Sequence, residues 1–375
     1  MAAAERAMTL DDLPTPCLVL DRGILRRNLE TMARAVARHE VALRPHMKTA
    51  KSIDVARMAL AIPQARGGGI TVSTLAEAEY FAGHGIADML YAVGITPQKL
   101  DLVVKLNGSG ASVMIITDDA DMAGRIGAHP RPPRTLIEVD CGEHRGGVGP
   151  DDPALLVIAG RLGRALGGIM THAGHSYAGR AASDMERIAE DERLGAVRAA
   201  ERLEDAGFGC PIVSMGSSPT ALYATGLAGI TEMRAGVYMF GDLFQAEIGT
   251  HGPGDIAVTV LASVIGRRPA ERLLVVDAGG IALSKDRSTE AVPHDFGFGL
   301  MLDIAGRRSY GRSLVRRANQ EHGVIELDGD FDLSIGARVR IAPNHVCMTA
   351  AAHDRYFVID GGAEVAAIWP RVNGW

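Results

Sequence analysis

No CxxC pair occurs in the chain, and its four cysteines, Cys17, Cys141, Cys210 and Cys347, lie far apart. That excludes a disulfide-stapled scaffold and makes a reducing compartment the expectation. No run reaches the ~18 apolar residues that a membrane helix needs, and the N-terminal MAAAERAMTL lacks an apolar stretch of signal-peptide length. A cytoplasmic protein with no membrane partner is therefore expected. A long basic stretch is missing too. With a net charge of -6, nucleic acid and anionic membrane are both poor main partners. No internal repeat is evident. What is present is an ordinary globular composition, 47% hydrophobic and 22% charged over 375 residues. That length suits one large domain with a smaller one, or two comparable domains.

The patterning alternates between short apolar runs and amphipathic stretches. Cys17–Leu20 precedes a helical pattern from Ile24 to His39, with Leu25, Leu29, Met32, Ala33 and Val36 at helical spacing. VALRPHMKT, GGITVST, DMLYAV, SVMIIT, RTLIEVD, LGGIMTHAG, PIVSMGS and TEMRAGVYMF read as buried strands. DVARMALA, LAEAEYFAGHG, DPALLVIAGRLGRAL and DMERIAEDERLGAVRAAERLEDAG read as helices among them. About eight β–α units across residues 22–250 predict an α/β fold, a closed parallel (β/α)8 barrel of the TIM type, with a doubly wound open sheet as second choice. Beyond residue 250 the runs DIAVTVLASVIGRR, RLLVVDAGG, HGVIEL and ARVRIAPNH are separated by Gly, Pro and Asp turns, with no long amphipathic helix between them. Residues 251–375, with an N-terminal strand in 12–21, are thus expected to form a second, mostly antiparallel β domain.

In such barrels chemistry gathers where the strands end at their C-terminal side. Those ends carry His46-Met-Lys48, Ser73-Thr74, Asp140 to Arg145, His172 to Tyr177, Gly216-Ser217-Ser218 and Gly236-Val-Tyr238. A lone loop lysine is ordinarily a solvated surface group. At a strand end, however, Lys48 is placed to form a Schiff base. It must be neutral to attack, a form that desolvation or a neighbouring cation such as Arg44 favours. MGSSPT is a Gly/Ser turn of the kind whose N–H groups cradle a phosphate, although most such turns are only turns. A lysine and a phosphate cradle on one barrel face together point to pyridoxal phosphate.

TPCLVLD, RPHMKTAKS, ITVSTLAEAE, DCGEHRGGVG, MGSSPT, MRAGVYMF, VVDAGG, NQEHG and PNHVC, in this order from about residue 13 onward, resemble the fold-type III, alanine-racemase-like pyridoxal-phosphate enzymes. Within them the chain is similar to the branch of metal-dependent D-serine dehydratase, D-threo-3-hydroxyaspartate dehydratase and D-threonine aldolase. The resemblance implies Lys48 as the Schiff-base lysine and Lys51 as a structural one. It implies that Gly216, Ser217, Ser218 and Tyr238 hold the phosphate, that Arg145 and Tyr177 lie along the cofactor, and that His172 faces it.

PNHVC separates the branches. His345 and Cys347, read as alternate residues on one strand face, can both reach one cation, and nitrogen plus sulfur suits Zn²⁺, with Mn²⁺ or Co²⁺ as substitutes. Alone, His-x-Cys is weak evidence for metal, because a closed tetrahedral site needs about four ligands. Within the family it marks the dehydratases, where aldolases carry His-x-Asp. Cys141 and Cys210 read as small buried residues. The resemblance implies that freed Lys48 takes the α-proton of a D-amino acid while the metal turns the 3-hydroxyl into a leaving group, giving a 2-oxo acid and ammonia. In an aldolase the same parts would give glycine and an aldehyde. A second substrate carboxylate would need a cation from among Arg145, Arg234, His175 and His322. A racemase leaves His-x-Cys unexplained, and a non-catalytic pyridoxal-phosphate carrier leaves the β domain unexplained. A homodimer with shared sites is implied as well.

Overall fold

The structure is a computed structural model that describes residues 7–64 and 67–375. The chain folds into two compact units, one of residues 30–236 with 372–375, the other of the residues up to 29 with 237–371. Among the described residues no helix is long and apolar enough to cross a membrane.

The first unit is built on eight parallel strands. In chain order they are Ala42–Pro45, Ile70–Val72, Asp88–Gly94, Ser112–Thr117, Thr135–Val139, Leu166–Thr171, Ile212–Met215 and Glu232–Ala235. From the second strand to the eighth each pairs with its neighbour in sequence, and the first pairs with the last through Ala42–Glu232 to Pro45–Ala235. A parallel bridge from His46 to Thr71, with the Met47 N–H on the Thr71 carbonyl at 2.8 Å, closes the ring between first and second strands. The barrel that the alternation predicts is therefore present. Its strands are short and buried on both faces, which is why they read as continuous apolar runs rather than as alternation. Leu90, Met114, Ile116, Leu136 and Met170 pack together from four adjacent strands. Helices between the strands include Leu75–Gly83, capped by Thr74 accepting the Glu77 N–H, and Ala120–Ala128, capped by Asp119 accepting the Met122 N–H.

The second unit is a nine-stranded sheet. Its order is Leu273–Val276, Gly323–Glu326, Leu314–Ala318, Leu300–Leu302, Arg338–Ala342, Val258–Arg268, Cys17–Asp21, Arg355–Ile359 and Val365–Pro370. All pairings are antiparallel except that of Cys17–Asp21 with Arg355–Ile359. The mostly antiparallel β fold expected of the C-terminal part is thus observed, with a strand from the N-terminal segment built into it.

Two local readings change. TEMRAGVYMF is a strand only to Ala235, after which Val237–Met239 makes a single 3₁₀ turn, so Tyr238 is not a strand residue. Residues 237–250, read as the end of the barrel, group with the β unit: Leu243 packs with Ile256, Phe296, Leu300, Leu302, Leu314 and Ala342.

Candidate active site

The barrel strands leave a cavity of about 470 Å³ whose wall includes His46, Lys48, Ser73, Asp118, Glu138, Arg145, His172 and Arg234. Four of these, His46, Ser73, Asp118 and His172, follow directly on a strand's last residue. The first strand ends at Pro45, and the chain turns so that Lys48 is exposed into the cavity while Met47 and Thr49 are buried. The Lys48 amide donates to His46 Nδ1 at 3.4 Å. His172 follows the strand Leu166–Thr171 and places Nδ1 3.1 Å from the Gly216 carbonyl.

Electrostatics fix both imidazoles in the neutral form. Burial, then the Lys48 and Arg234 cations and His172, hold His46 well below the ordinary histidine value. Burial first, then Lys48 and Arg234, lowers His172 to about 3. A neutral His172 must donate from Nδ1 to the Gly216 carbonyl, which leaves Nε2 as an acceptor. Arg234 is 3% exposed; it donates from Nε to Ser214 Oγ at 2.8 Å and from Nη2 to the Thr171 carbonyl. Arg145 is more open, 56% exposed and 3.6 Å from Glu138. Glu138 is pushed up, by burial most of all, with Asp118 adding and Arg145 opposing.

The loop that carries Arg145 is organised from within. Asp140 accepts the N–H groups of Gly142 and His144 and pairs with His144 Nδ1 at 2.7 Å. Asp118 accepts the Gly147 N–H at 2.7 Å.

Lys48, Arg145 and His172 therefore meet in one cavity. Tyr177 lies half-buried in the turn Gly174–Ala178, and it does not line the cavity. Gly216, Ser217 and Ser218 lie behind His172, at the start of the short helix Ser218–Tyr223. Gly216 has φ +133°, and a Cβ there would come within 2.3 Å of the Arg234 carbonyl oxygen, so the turn requires glycine. The N–H groups that this turn offered to a phosphate have internal acceptors: Gly216 donates to Glu192 Oε1 at 2.9 Å and Ser217 to Thr220 Oγ1 at 3.0 Å. Ser217 Oγ lies 2.8 Å from Ser176 Oγ. Tyr238 belongs to the other unit; it is 2% exposed, burial raises its phenol, and its carbonyl accepts from His251 Nε2 at 2.8 Å.

Two lysine-neighbourhood readings are settled by these contacts. Arg44 is not the cation beside Lys48. Its side chain is committed to Glu232 at 2.8 Å and Asp88 at 2.9 Å, residues that begin their strands. Lys51 pairs with the fully buried Glu77 at 3.0 Å, so its contact is internal to the fold.

In the β unit His345 and Cys347 are close, but not by strand alternation. The strand stops at Ala342; His345 caps the short helix Val346–Ala350, and Cys347 lies in that helix's first turn. Asn344 pulls the chain off the sheet by donating to the Gly297 carbonyl at 2.6 Å and to Thr289 Oγ1 at 2.8 Å. The Asp242 carboxylate then accepts the Val346 N–H at 2.9 Å. His345 Nδ1 faces Asp286 Oδ2 at 2.9 Å. Burial opposes charge on this imidazole, but Asp286, Cys347 and Asp242 outweigh it and raise it to about 11. A carboxylate on Nδ1 leaves Nε2 for a cation, the arrangement common behind metal-bound histidines. Among the described residues no group of three or more His, Cys, Asp or Glu is placed to hold one ion. The His345 imidazole and the Cys347 thiol are the nitrogen and sulfur donors that this turn offers to a cation.

Sequence profiles divide the chain along similar lines. That of the alanine racemase N-terminal domain matches residues 20–243, and that of the putative serine dehydratase domain matches residues 257–359. The chain belongs to the family that joins these two domains. Over 98% of its length it is 42% identical to D-threo-3-hydroxyaspartate dehydratase of Delftia sp. (strain HT23), covering 99% of that protein. A D-threo-3-hydroxyaspartate dehydratase variant in its metal-free form superposes with a TM-score of 0.93 at 41% identity, covering 98% of this chain and 100% of that one. D-threonine aldolase from Filomicrobium marinum superposes with a TM-score of 0.82 at 25% identity, covering 98% of each chain.

For a member of this family, three cavity residues escaped the reading of the sequence. His46 was seen only as part of a strand end, Asp118 not at all, and Glu138 was taken as one more strand residue. Inward period-two spacing along RTLIEVD would have singled out Glu138. Asp118 follows directly on SVMIIT, which is a strand-end position like that of His172.

Proposed function

We propose that this protein is a pyridoxal-phosphate- and metal-dependent lyase that removes water from a D-3-hydroxy amino acid, 3-hydroxy-D-aspartate or D-serine, leaving a 2-oxo acid and ammonia. The observation that carries this reading is Lys48 in the strand-end cavity between two imidazoles held neutral. The whole-length likeness to D-threo-3-hydroxyaspartate dehydratase supports the choice of reaction.

The cavity suits the cofactor in size, about 470 Å³, and in offering a primary amine beside cationic and neutral donors. Bound there, pyridoxal phosphate supplies the aldehyde that Lys48 condenses with and an electron sink for the bonds at Cα. Lys48, once released as an amine, collects the α-proton. His172, fixed through Gly216, offers Nε2 as a hydrogen-bond acceptor toward the cavity, and its low basicity leaves the α-proton to Lys48. Arg145, exposed and with donors to spare beyond Glu138, receives a substrate carboxylate. Gly216, Ser217, Ser218, Tyr177 and Tyr238 remain the proposed supports of the cofactor. His345 and Cys347 would hold a divalent cation, Zn²⁺ or in its place Mn²⁺ or Co²⁺, whose Lewis acidity would assist departure of the 3-hydroxyl. In this division the barrel unit carries the cofactor's lysine and the β unit the metal ligands, in a cytoplasmic homodimer.

Retro-aldol cleavage to glycine and an aldehyde is the second reading, favoured by the likeness to D-threonine aldolase. Cys347 in the His-x-Cys motif argues for dehydration. Products decide. Purified protein with pyridoxal phosphate and Zn²⁺ is given 3-hydroxy-D-aspartate, D-serine or D-threonine. Equal amounts of ammonia and 2-oxo acid, absent with Lys48→Ala, are expected; glycine with an aldehyde overturns the dehydratase.

A further inference from the structure

The β unit contains a second cavity, about 380 Å³, which the lyase reaction does not use. Leu243, Ile256, Phe296, Leu300 and Leu302 give it an apolar wall, and at one point that wall presents Arg340. Arg340 is 3% exposed. Its Nε donates to Thr259 Oγ1 at 2.7 Å, and among the described residues its Nη groups have no carboxylate partner within ion-pair distance. Asp21 and Asp303 act on it only from further off. Asp21 accepts the Ile24 N–H, and Asp303 is held by Arg307 and Ser309. Gly306 leaves room for the guanidinium, since a Cβ there would lie 2.6 Å from Nη1.

Burying a guanidinium without a contact partner is costly, and the expense is offset when an anion completes its fork of donors. The wall states what kind of anion. Asp21, Glu247, Arg307 and Arg308 also line the cavity. Arg307 is paired with Asp303 and both it and Arg308 are exposed, so the buried charge to be met is the single one of Arg340, which a carboxylate balances and a dianion exceeds. The apolar side asks for a hydrocarbon tail. The volume lies within the roughly 300–1,000 Å³ range of small-molecule sites.

We propose that this cavity is a binding site for a monocarboxylate with a short aliphatic tail, its carboxylate on Arg340 and its tail against Phe296, Leu300 and Leu302. This site is independent of the lyase reading. The test titrates the cofactor-loaded protein calorimetrically with hexanoate, 2-oxohexanoate and hexan-1-ol. Saturable binding of one hexanoate or one 2-oxohexanoate per chain is expected, and the tighter of the two tells a simple fatty acid from an oxo acid. Arg340→Met should weaken binding by about 10- to 100-fold, the effect of losing hydrogen bonds to a charged group. Ala305→Trp, at an exposed lining position, should block entry while leaving the core intact. Lys48→Ala should bind as the parent does. No saturable binding, equal binding of hexan-1-ol, or binding lost with Lys48→Ala but kept with Arg340→Met would overturn the site.

Discussion

His172 shows how much one side chain can be told by its surroundings. Packed beside Lys48 and Arg234, with Nδ1 on the Gly216 carbonyl, it resists protonation until about pH 3. In an unfolded chain a histidine titrates near about 6.5. Between those values the unfolded state takes up a proton that the folded state refuses. Its contribution to stability is therefore complete above about pH 6.5 and is lost as pH falls toward 3. His46 acts with the same sign. His172→Gln should accordingly flatten, without abolishing, the fall in urea midpoint between pH 6.5 and 4; an unchanged slope would show that His172 is protonated in the folded protein. At this scale the sequence was most legible where a residue type is rare in its setting, as for Lys48 after Arg-Pro-His. It was least legible for Asp118 and Glu138, because an acidic residue near a strand end looks like surface until the strand's inward face is known. For His345 and Cys347 the expected strand alternation does not hold. The run ARVRIA suggests that its strand continues, and only the distant partners of Asn344, Thr289 and Gly297, explain why it stops.

Among the elements, the eight short strands carry the strongest constraint. Strands of three to seven residues leave little room for error in register. The barrel answers with charge inside it: Arg44 on the first strand reaches Glu232 on the eighth and Asp88 on the third. Arg44 and Glu232 are almost fully buried, with side-chain exposures of 5% and 7%. Removing Arg44 leaves the buried Glu232 uncompensated, at a cost of about 3 kcal/mol, whereas removing Glu232 still leaves Arg44 its half-exposed partner Asp88. Arg44→Met should lower unfolding free energy by about that much, and adding Glu232→Ala to it should recover part of the loss. A double variant weaker than either single one would mean that the pair acts through packing instead. Nothing in VALRPHMKT or TEMRAG announces this pairing, since the two residues lie 188 positions apart. The alternation of strands and helices was legible because period and length are local properties. The ionic contacts inside the barrel were not, because closure brings together residues that no local pattern connects.

At the scale of the whole molecule, the proposed cofactor lysine and the proposed metal ligands belong to different compact units. This separation makes the two losses distinguishable. Chelation should strip the cation from His345 and Cys347 and stop turnover, while the visible absorbance of cofactor joined to Lys48 persists, because no metal ligand belongs to the Lys48 unit. Lys48→Ala should do the reverse, losing that absorbance while retaining one equivalent of metal per chain. Asp286→Asn tests the link within the β unit. It removes the charge behind His345 Nδ1, and an orienting partner of this kind is worth about 10- to 100-fold in metal affinity. Metal analysis and absorbance on the same preparations separate the cases. If chelation alone released the cofactor, or if Lys48→Ala alone emptied the metal site, the two units would not be separate carriers of the two groups, and the proposed division of labour would fail.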